Sequence, residues 1–223
     1  MTAGPRPAAV IFDNDGTFLE TDGAWTRAEQ TLFARRGMVF GEEHRHGLLG
    51  SSFEMAARHL ERFLGRPGDG GALMAELVEL VYVEIEREVP LMPGAGELVG
   101  GLRDAGVPIA MATNAARDFA LKALRRAGHG DTFGVLVSAE DVPAAKPAPD
   151  PFLAAAARLD VDPAGCVVLE DSPTGVRAGR AAGMTVVGVT AQPGVVLAEA
   201  HHVHRTLEDP VLWARLGLAP PRG

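Results

Sequence analysis

A doubly wound α/β fold, with an all-helical segment inserted after its first strand, is predicted for this 223-residue chain by three observations. Short runs that are apolar on both faces recur at 8–12, 108–113, 166–170 and 185–189, the mark of strands buried inside a parallel sheet. From Val89 onward these runs alternate with helical periodicity, which implies a parallel sheet wrapped on both sides. Between Phe18 and Glu88 the periodicity is helical and strand signals are missing. The expected organisation is therefore an α/β core of residues 1–20 and 89–223, with a helical insert at 21–88.

Each element follows from local chemistry. Ala8-Ala9-Val10-Ile11-Phe12 forms the first strand and runs directly into Asp13-Asn14-Asp15-Gly16-Thr17. In the insert, 25–36 carries Trp25, Ala28, Leu32 and Phe33 at helical spacing. A helix over 51–64 opens with hydroxyl residues and has Glu54 three after Ser51, a capping-box spacing. Pro67 and several glycines break the chain at 65–71, and 72–86 resumes with Leu73, Leu77, Leu80, Val81 and Ile85. In the core, 95–105 is a helix ended by Gly106, and 117–127 a helix ended by Gly128. A short strand is expected at 135–138. Asp150-Pro151 reads as an N-cap with proline in the first helical position, opening a helix to about residue 159. Ser172-Pro173 repeats that device before a helix closed by Gly183, and 209–216 is a final helix.

Composition narrows the function. The formal net charge of −8 argues against a nucleic-acid binder, which normally shows a basic face. The single cysteine, Cys166, cannot form an internal disulfide and heads an apolar run, as a buried structural thiol does. The N-terminal apolar run is too short for a signal-peptide core, and no segment approaches the length of a membrane span. The expectation is a cytoplasmic protein, monomer or homodimer, with neither nucleic-acid nor membrane partner.

In a parallel sheet the carboxyl ends of all strands lie on one side, where ligands gather. Those ends deliver Asp13 and Asp15, then Thr113 and Asn114, then Glu170 and Asp171, while Lys146 arrives in the loop Ala145-Lys146-Pro147-Ala148-Pro149. Four carboxylates at one point raise one another's pKa unless a cation neutralises them. These positions offer no Cys or His set for zinc, so Mg²⁺ is the expected ion. A metal, a lysine, a hydroxyl and helix N-termini together suit a phosphate group, and a carboxylate beside them could accept the phosphoryl group covalently.

Phe12-Asp13-Asn14-Asp15-Gly16-Thr17, the strand ending at Thr113, Lys146-Pro147, and Leu169-Glu170-Asp171-Ser172 followed by Gly175 resemble, in order, the four signature motifs of the haloacid dehalogenase superfamily. The resemblance covers nearly the whole chain, and the insert is similar to the helical cap of its phosphatase and β-phosphoglucomutase branch. It implies a Rossmann-like core. It also implies that Asp13 is the nucleophile and Asp15 the general acid and base, with the Asp15 backbone carbonyl on Mg²⁺. Thr113, the Asn114 amide and Lys146 would hold phosphate oxygens. Asp171 would bind Mg²⁺, with Glu170 on the metal or just behind it, so that the metal set is Asp13, Asp15, Glu170 and Asp171.

The same resemblance separates the reactions. Asp15 and Asp171 speak against halide chemistry. β-Phosphoglucomutases carry a histidine where this chain has Trp25, and an arginine for the second phosphate where it has Phe53. The expectation is hydrolysis of a small phosphorylated metabolite, sugar phosphates first, with a phosphosugar mutase as the alternative and a non-enzymatic phosphoacceptor as a remote one. Asp22, Trp25 and Phe53 are the candidate substrate contacts of the cap. Gly94-Ala95-Gly96 imitates a dinucleotide fingerprint but follows Pro93 and not a strand, so it reads as a turn. His201, His202 and His204 read as surface decoration near a late strand.

Overall fold

The computed structural model describes residues 6–48, 53–192 and 194–220. The chain divides into two compact units, one built from residues 1–20 and 90–223, the other from Thr21–Val89.

The larger unit holds a six-stranded, wholly parallel sheet among the described residues. Its strands are β1 (Ala9–Phe12), β2 (Ile109–Ala112), β3 (Val135–Val137), β4 (Cys166–Glu170), β5 (Thr185–Val189) and β6 (His202–His204), in the order β3-β2-β1-β4-β5-β6. The chain steps outward from β1 to β2 and β3, then returns to place β4 on the other side of β1. That reversal, between β1 and β4, is the switch point at which such sheets bind ligands. All four β1 residues are fully buried, as the two-sided apolar run requires. Pairing of Phe12 with Leu169 and with Met111 brings the next residue, Asp13, level with Glu170. The helices of this unit are α5 (Ala95–Asp104), α6 (Arg117–Arg126), α7 (Asp150–Arg158), α8 (Pro173–Ala181) and α9 (Pro210–Arg215). The α7 helix packs on β1, β2 and β3, and α8 on β4 and β5.

The smaller unit contains α1 (Asp22–Ala34), α2 (Glu42–Leu48), α3 (Phe53–Leu64) and α4 (Gly70–Ile85). Leu32, Phe33, Leu60, Leu77, Val81 and Ile85 form its interior. Ion pairs bind α1 and the two residues after it to α4: Arg27 Nε lies 2.8 Å from Glu84, while Arg35 and Arg36 reach Glu76 at 2.9 and 2.6 Å. Ser51 and the capping box expected there lie outside the described residues. No described helix is long and apolar enough to cross a membrane.

Several expectations need correction. The strand β6 was not predicted, because His-Val-His at a sheet edge offers only one apolar residue and no hydrophobic alternation to read. The helix α2 was also missed: its sequence Glu-Glu-His-Arg-His-Gly-Leu ends in its sole large apolar residue. Helix α7 begins at Asp150 with Pro149 flanking it, and no side chain caps it, whereas Ser172 does cap α8 by accepting the Gly175 N–H. His204 does not decorate the surface. It is buried, with Nδ1 2.7 Å from Asp209. Gly94 serves a turn, having φ of +84° and a backbone so close to Glu208 that a Cβ would lie 2.6 Å from its nitrogen.

The loop after β3 is closed by one carboxylate. Asp141 Oδ2 accepts from Ser138 N–H and Oγ, both at 2.7 Å, and from Arg117 at 2.5 Å. Burial alone would raise its pKa, but the Ser138 hydrogen bonds and Arg117 bring it down to about 2. A carboxyl whose folded pKa lies below the unfolded one (about 3.9) stabilises the fold above the unfolded value and loses that contribution as pH falls toward the folded one. Asp141→Asn is therefore expected to melt below wild type at pH 7, with the gap narrowing between pH 4 and 2. Thermal melts across that range, followed by circular dichroism, check this.

Candidate active site

The site is assembled from the carboxyl ends of three neighbouring strands and one loop. Asp13 follows β1, Thr113 follows β2, Glu170 ends β4 with Asp171 behind it, and Lys146 precedes α7. The Lys146 ammonium lies 2.5 Å from Asp13 Oδ1 and 2.8 Å from Glu170 Oε1. All three side chains are nearly sealed from solvent. The ammonium also sits over the ring of the buried Phe152, 4.7 Å from its centroid, a cation–π contact that further fixes it. Asp13, Glu170 and Asp171 each offer a carboxylate oxygen, and those oxygens lie within 4.8 Å of one another.

One ammonium facing three carboxylates leaves the site short of positive charge. Burial pushes the Asp13 carboxyl well above the usual carboxylate range; Lys146 opposes this, and Glu170 and Asp15 add to it. Burial would lower the Lys146 pKa, but the flanking carboxylates outweigh it and hold the ammonium protonated. A hard divalent cation meets both requirements of such a site: an all-oxygen donor set and a missing positive charge.

The remaining expected residues divide by what they touch. Thr113 is buried, and its Oγ1 accepts the Ala115 N–H at 3.0 Å, so its own hydrogen stays a donor. Asn114 was expected to hold phosphate through its amide. Its side chain instead clamps the lysine loop, Oδ1 accepting the Lys146 N–H at 2.8 Å and Nδ2 donating to the Lys146 carbonyl at 3.0 Å. Its backbone N–H is a further donor at the end of β2. Asp15 contributes no carboxylate oxygen to the three-carboxylate group; its Oδ2 accepts from Asn14 Nδ2 at 3.1 Å. Asp22 opens α1, Trp25 lies half-buried on the same helix, and Phe53 heads α3 with 62% of its surface exposed. These three belong to the helical unit.

Four residues of the site were quoted within the motifs but not predicted to act there. Thr17 is fully buried and donates to Asp171 Oδ1 at 3.3 Å. Ser172 donates from both its backbone N–H and its Oγ to Glu170 Oε2, each at 2.9 Å. Glu170 thus has one oxygen on Lys146 and the other on Ser172, and its carboxylate orients the lysine. Gly16, with φ of +79°, passes so close to Asp171 that a Cβ would lie 2.2 Å from Oδ2. At Gly175 a Cβ would lie 1.6 Å from Glu170 Oε1. A signal was available for Gly175, which follows Glu170 closely enough for the helix start to pass over that carboxylate; Gly16 approaches Asp171, far away in sequence, and its spacing from Asp13 and Asp15 carries no such signal.

Gly175→Ala is expected to displace the Glu170 carboxylate and with it the lysine. Overpacking of this kind costs about 1–3 kcal/mol. Thermal melting should show that loss, and turnover should fall further than the melting shift implies, because Lys146 loses its orientation.

The sequence model of the haloacid dehalogenase-like hydrolases matches residues 7–183. Hexitol phosphatase B of Escherichia coli K12 is 33% identical over 209 residues, which cover 89% of this chain and 93% of that protein. The bifunctional riboflavin kinase/FMN phosphatase of Arabidopsis thaliana is 33% identical over 187 residues, 83% of this chain. The match spans only about half of that protein, 49%. Among solved structures, a haloacid dehalogenase family hydrolase from Deinococcus radiodurans R1 with bound phosphate and sodium superposes with a TM-score of 0.78 at 29% identity, covering 98% of this chain and 100% of that one.

Proposed function

Because the chain belongs to the haloacid dehalogenase-like hydrolases, we propose that it is a Mg²⁺-dependent phosphatase of small phosphate monoesters, sugar phosphates first among them, acting through an aspartyl-phosphate on Asp13. The observation that carries this reading is the sealed Asp13–Lys146–Glu170 arrangement at the switch point of the sheet, beside the Asp171 carboxylate. Similarity to a hexitol phosphatase supports the sugar-phosphate class.

In the first half-reaction an Asp13 oxygen bonds to phosphorus as the bond from phosphorus to the leaving oxygen breaks, and Asp15 gives that oxygen its proton. In the second, a water oxygen bonds to phosphorus, Asp15 takes the water's proton, and the phosphorus–Asp13 bond breaks. Inorganic phosphate and the Asp13 carboxylate are regenerated. Lys146, the Thr113 hydroxyl and the Asn114 backbone N–H hold the non-bridging oxygens, where charge must be neutralised throughout a dissociative transfer. Asp13, Asp171 and the Asp15 backbone carbonyl would hold Mg²⁺, with Glu170 behind them. When bound, the ion supplies the positive charge the site lacks.

The helical unit at 21–88 serves as a cap whose residues Asp22, Trp25 and Phe53 select the leaving group, a division of labour that excludes water and sets specificity. Phe53, apolar and exposed, stands where the mutases of the family have an arginine for a second phosphate. Hydrolysis is favoured over mutase transfer for that reason. The protein acts on a soluble metabolite in the cytoplasm, as a monomer or homodimer, where its buried single thiol stays reduced.

Phosphate release from a panel of metabolite phosphates, with and without Mg²⁺ and with a sugar bisphosphate primer, tests the reading. Release that EDTA abolishes and Mg²⁺ restores is the expected result. Primer-dependent isomerisation faster than release would make it a mutase, and a stable phosphoprotein without turnover would make it a phosphoacceptor.

A further inference from the structure

Asn14 lies between the two catalytic aspartates and is fully buried. Its backbone carbonyl accepts from the Phe18 and Leu19 N–H groups at 3.1 and 2.8 Å, which closes the turn after β1. Any residue could supply that carbonyl, so the turn does not need an asparagine side chain. The side chain does two other things. Nδ2 donates to Asp15 Oδ2 at 3.1 Å, and Oδ1 is enclosed with no donor among the described residues. Reversing the amide would set Oδ1 against the Asp15 carboxylate, acceptor against acceptor, so its orientation is determined. An acceptor enclosed without a partner destabilises the fold, and an apolar residue of the same volume would avoid that penalty. The hydrogen bond that the side chain makes among the described residues is the one to Asp15.

We propose that Asn14 is a positioning residue for the proton transfer made by Asp15. The inference rests on the reading of Asp15 as general acid and base. The Asn14 amide donating to Oδ2 favours the acid form with its proton on Oδ1, because a proton on Oδ2 would weaken that bond. The amide also opposes the χ2 rotation that would exchange the two oxygens. Asp15 therefore presents the same oxygen to the leaving group in each turnover, and a proton transfer is sensitive to that placement.

The test compares kcat/KM, which covers the steps up to departure of the leaving group, for two esters. One is an alkyl phosphate that the enzyme hydrolyses, whose leaving oxygen needs a proton. The other is 2,4-dinitrophenyl phosphate, whose leaving group departs as an anion. Asn14→Leu is expected to reduce kcat/KM for the alkyl ester at least about tenfold more than for the aryl ester, a fraction of the 10²–10⁴ typical of general acid catalysis. A thermal melt establishes that the variant is folded. Asn14→Ala, which cannot overfill the turn, should show the same ratio. Equal losses on both esters, or none, in a folded variant would overturn the proposal. Asp15→Asn is the control for the parent reading. If that variant fails to discriminate between the esters, the assignment of Asp15 falls, and the role of Asn14 with it. If it discriminates and the Asn14 variants do not, only the role of Asn14 falls.

Discussion

Asp13→Asn is expected to lower turnover of every phosphate ester the wild type hydrolyses by about 10⁴-fold or more, the scale on which removal of a covalent nucleophile acts. Its fold is expected to survive. Asparagine keeps the shape of the side chain and removes one of three carboxylates whose oxygens crowd within 4.8 Å. Lys146 retains Glu170 at 2.8 Å, so no buried charge is left without a counter-ion. Stopped-assay phosphate release and a thermal melt on the same preparation measure both halves. Turnover lost with the melting temperature held is the signature of a chemical role. A parallel loss of both would make Asp13 a structural residue.

Lys146→Met is expected to lose stability as well as turnover. The ammonium is the counter-charge of two buried carboxylates, Asp13 at 2.5 Å and Glu170 at 2.8 Å. Methionine fills the space over Phe152 but leaves both acids uncompensated, and removing one partner of a buried pair costs about 3–5 kcal/mol. For a chain of this size that is a fall of about 10 °C in melting temperature. The pH dependence follows from the direction of the shifts. Without Lys146, whose charge opposes the effect of burial, the Asp13 pKa rises further above its unfolded value. Such a group favours the fold at low pH, where it is neutral, and loses that advantage as pH rises through the folded pKa. The deficit of Lys146→Met relative to wild type should therefore be greater at pH 8 than at pH 5. Differential scanning calorimetry at the two pH values checks it, and an equal deficit at both would contradict the pairing.

Much of this was legible in the sequence, for reasons that differ from residue to residue. β1 and β4 could be read because a strand buried on both faces has no polar residue to interrupt it, and both runs end abruptly in acids. Parallel pairing then fixes which residues stand together: Phe12 against Leu169 places Asp13 beside Glu170. The role of Ser172 as a cap was legible from the proline that follows it. Its second role, donating twice to Glu170, was not, because that depends on where the Glu170 side chain turns. The side chain of Asn114 is a similar case. Sequence order puts it next to Thr113, yet its partner is the backbone of a loop 32 residues further on. Strand β6 and helix α2 escaped because short polar elements at an edge or on a surface carry no hydrophobic period. His204 shows the cost of that omission: within β6 it is buried against Asp209, whereas a loop histidine in a polar sequence reads as exposed.

The central claim is that phosphate passes through a covalent bond to Asp13. The direct measurement is to quench the enzyme in acid during steady-state turnover, reduce it with borohydride, and map the product by peptide mass spectrometry. An acyl phosphate at Asp13 is reduced to homoserine at that position, and this is the expected result, absent when substrate is withheld. Phosphate release at full rate with residue 13 recovered only as aspartate, or with the reducible acyl phosphate on another residue, would contradict the account.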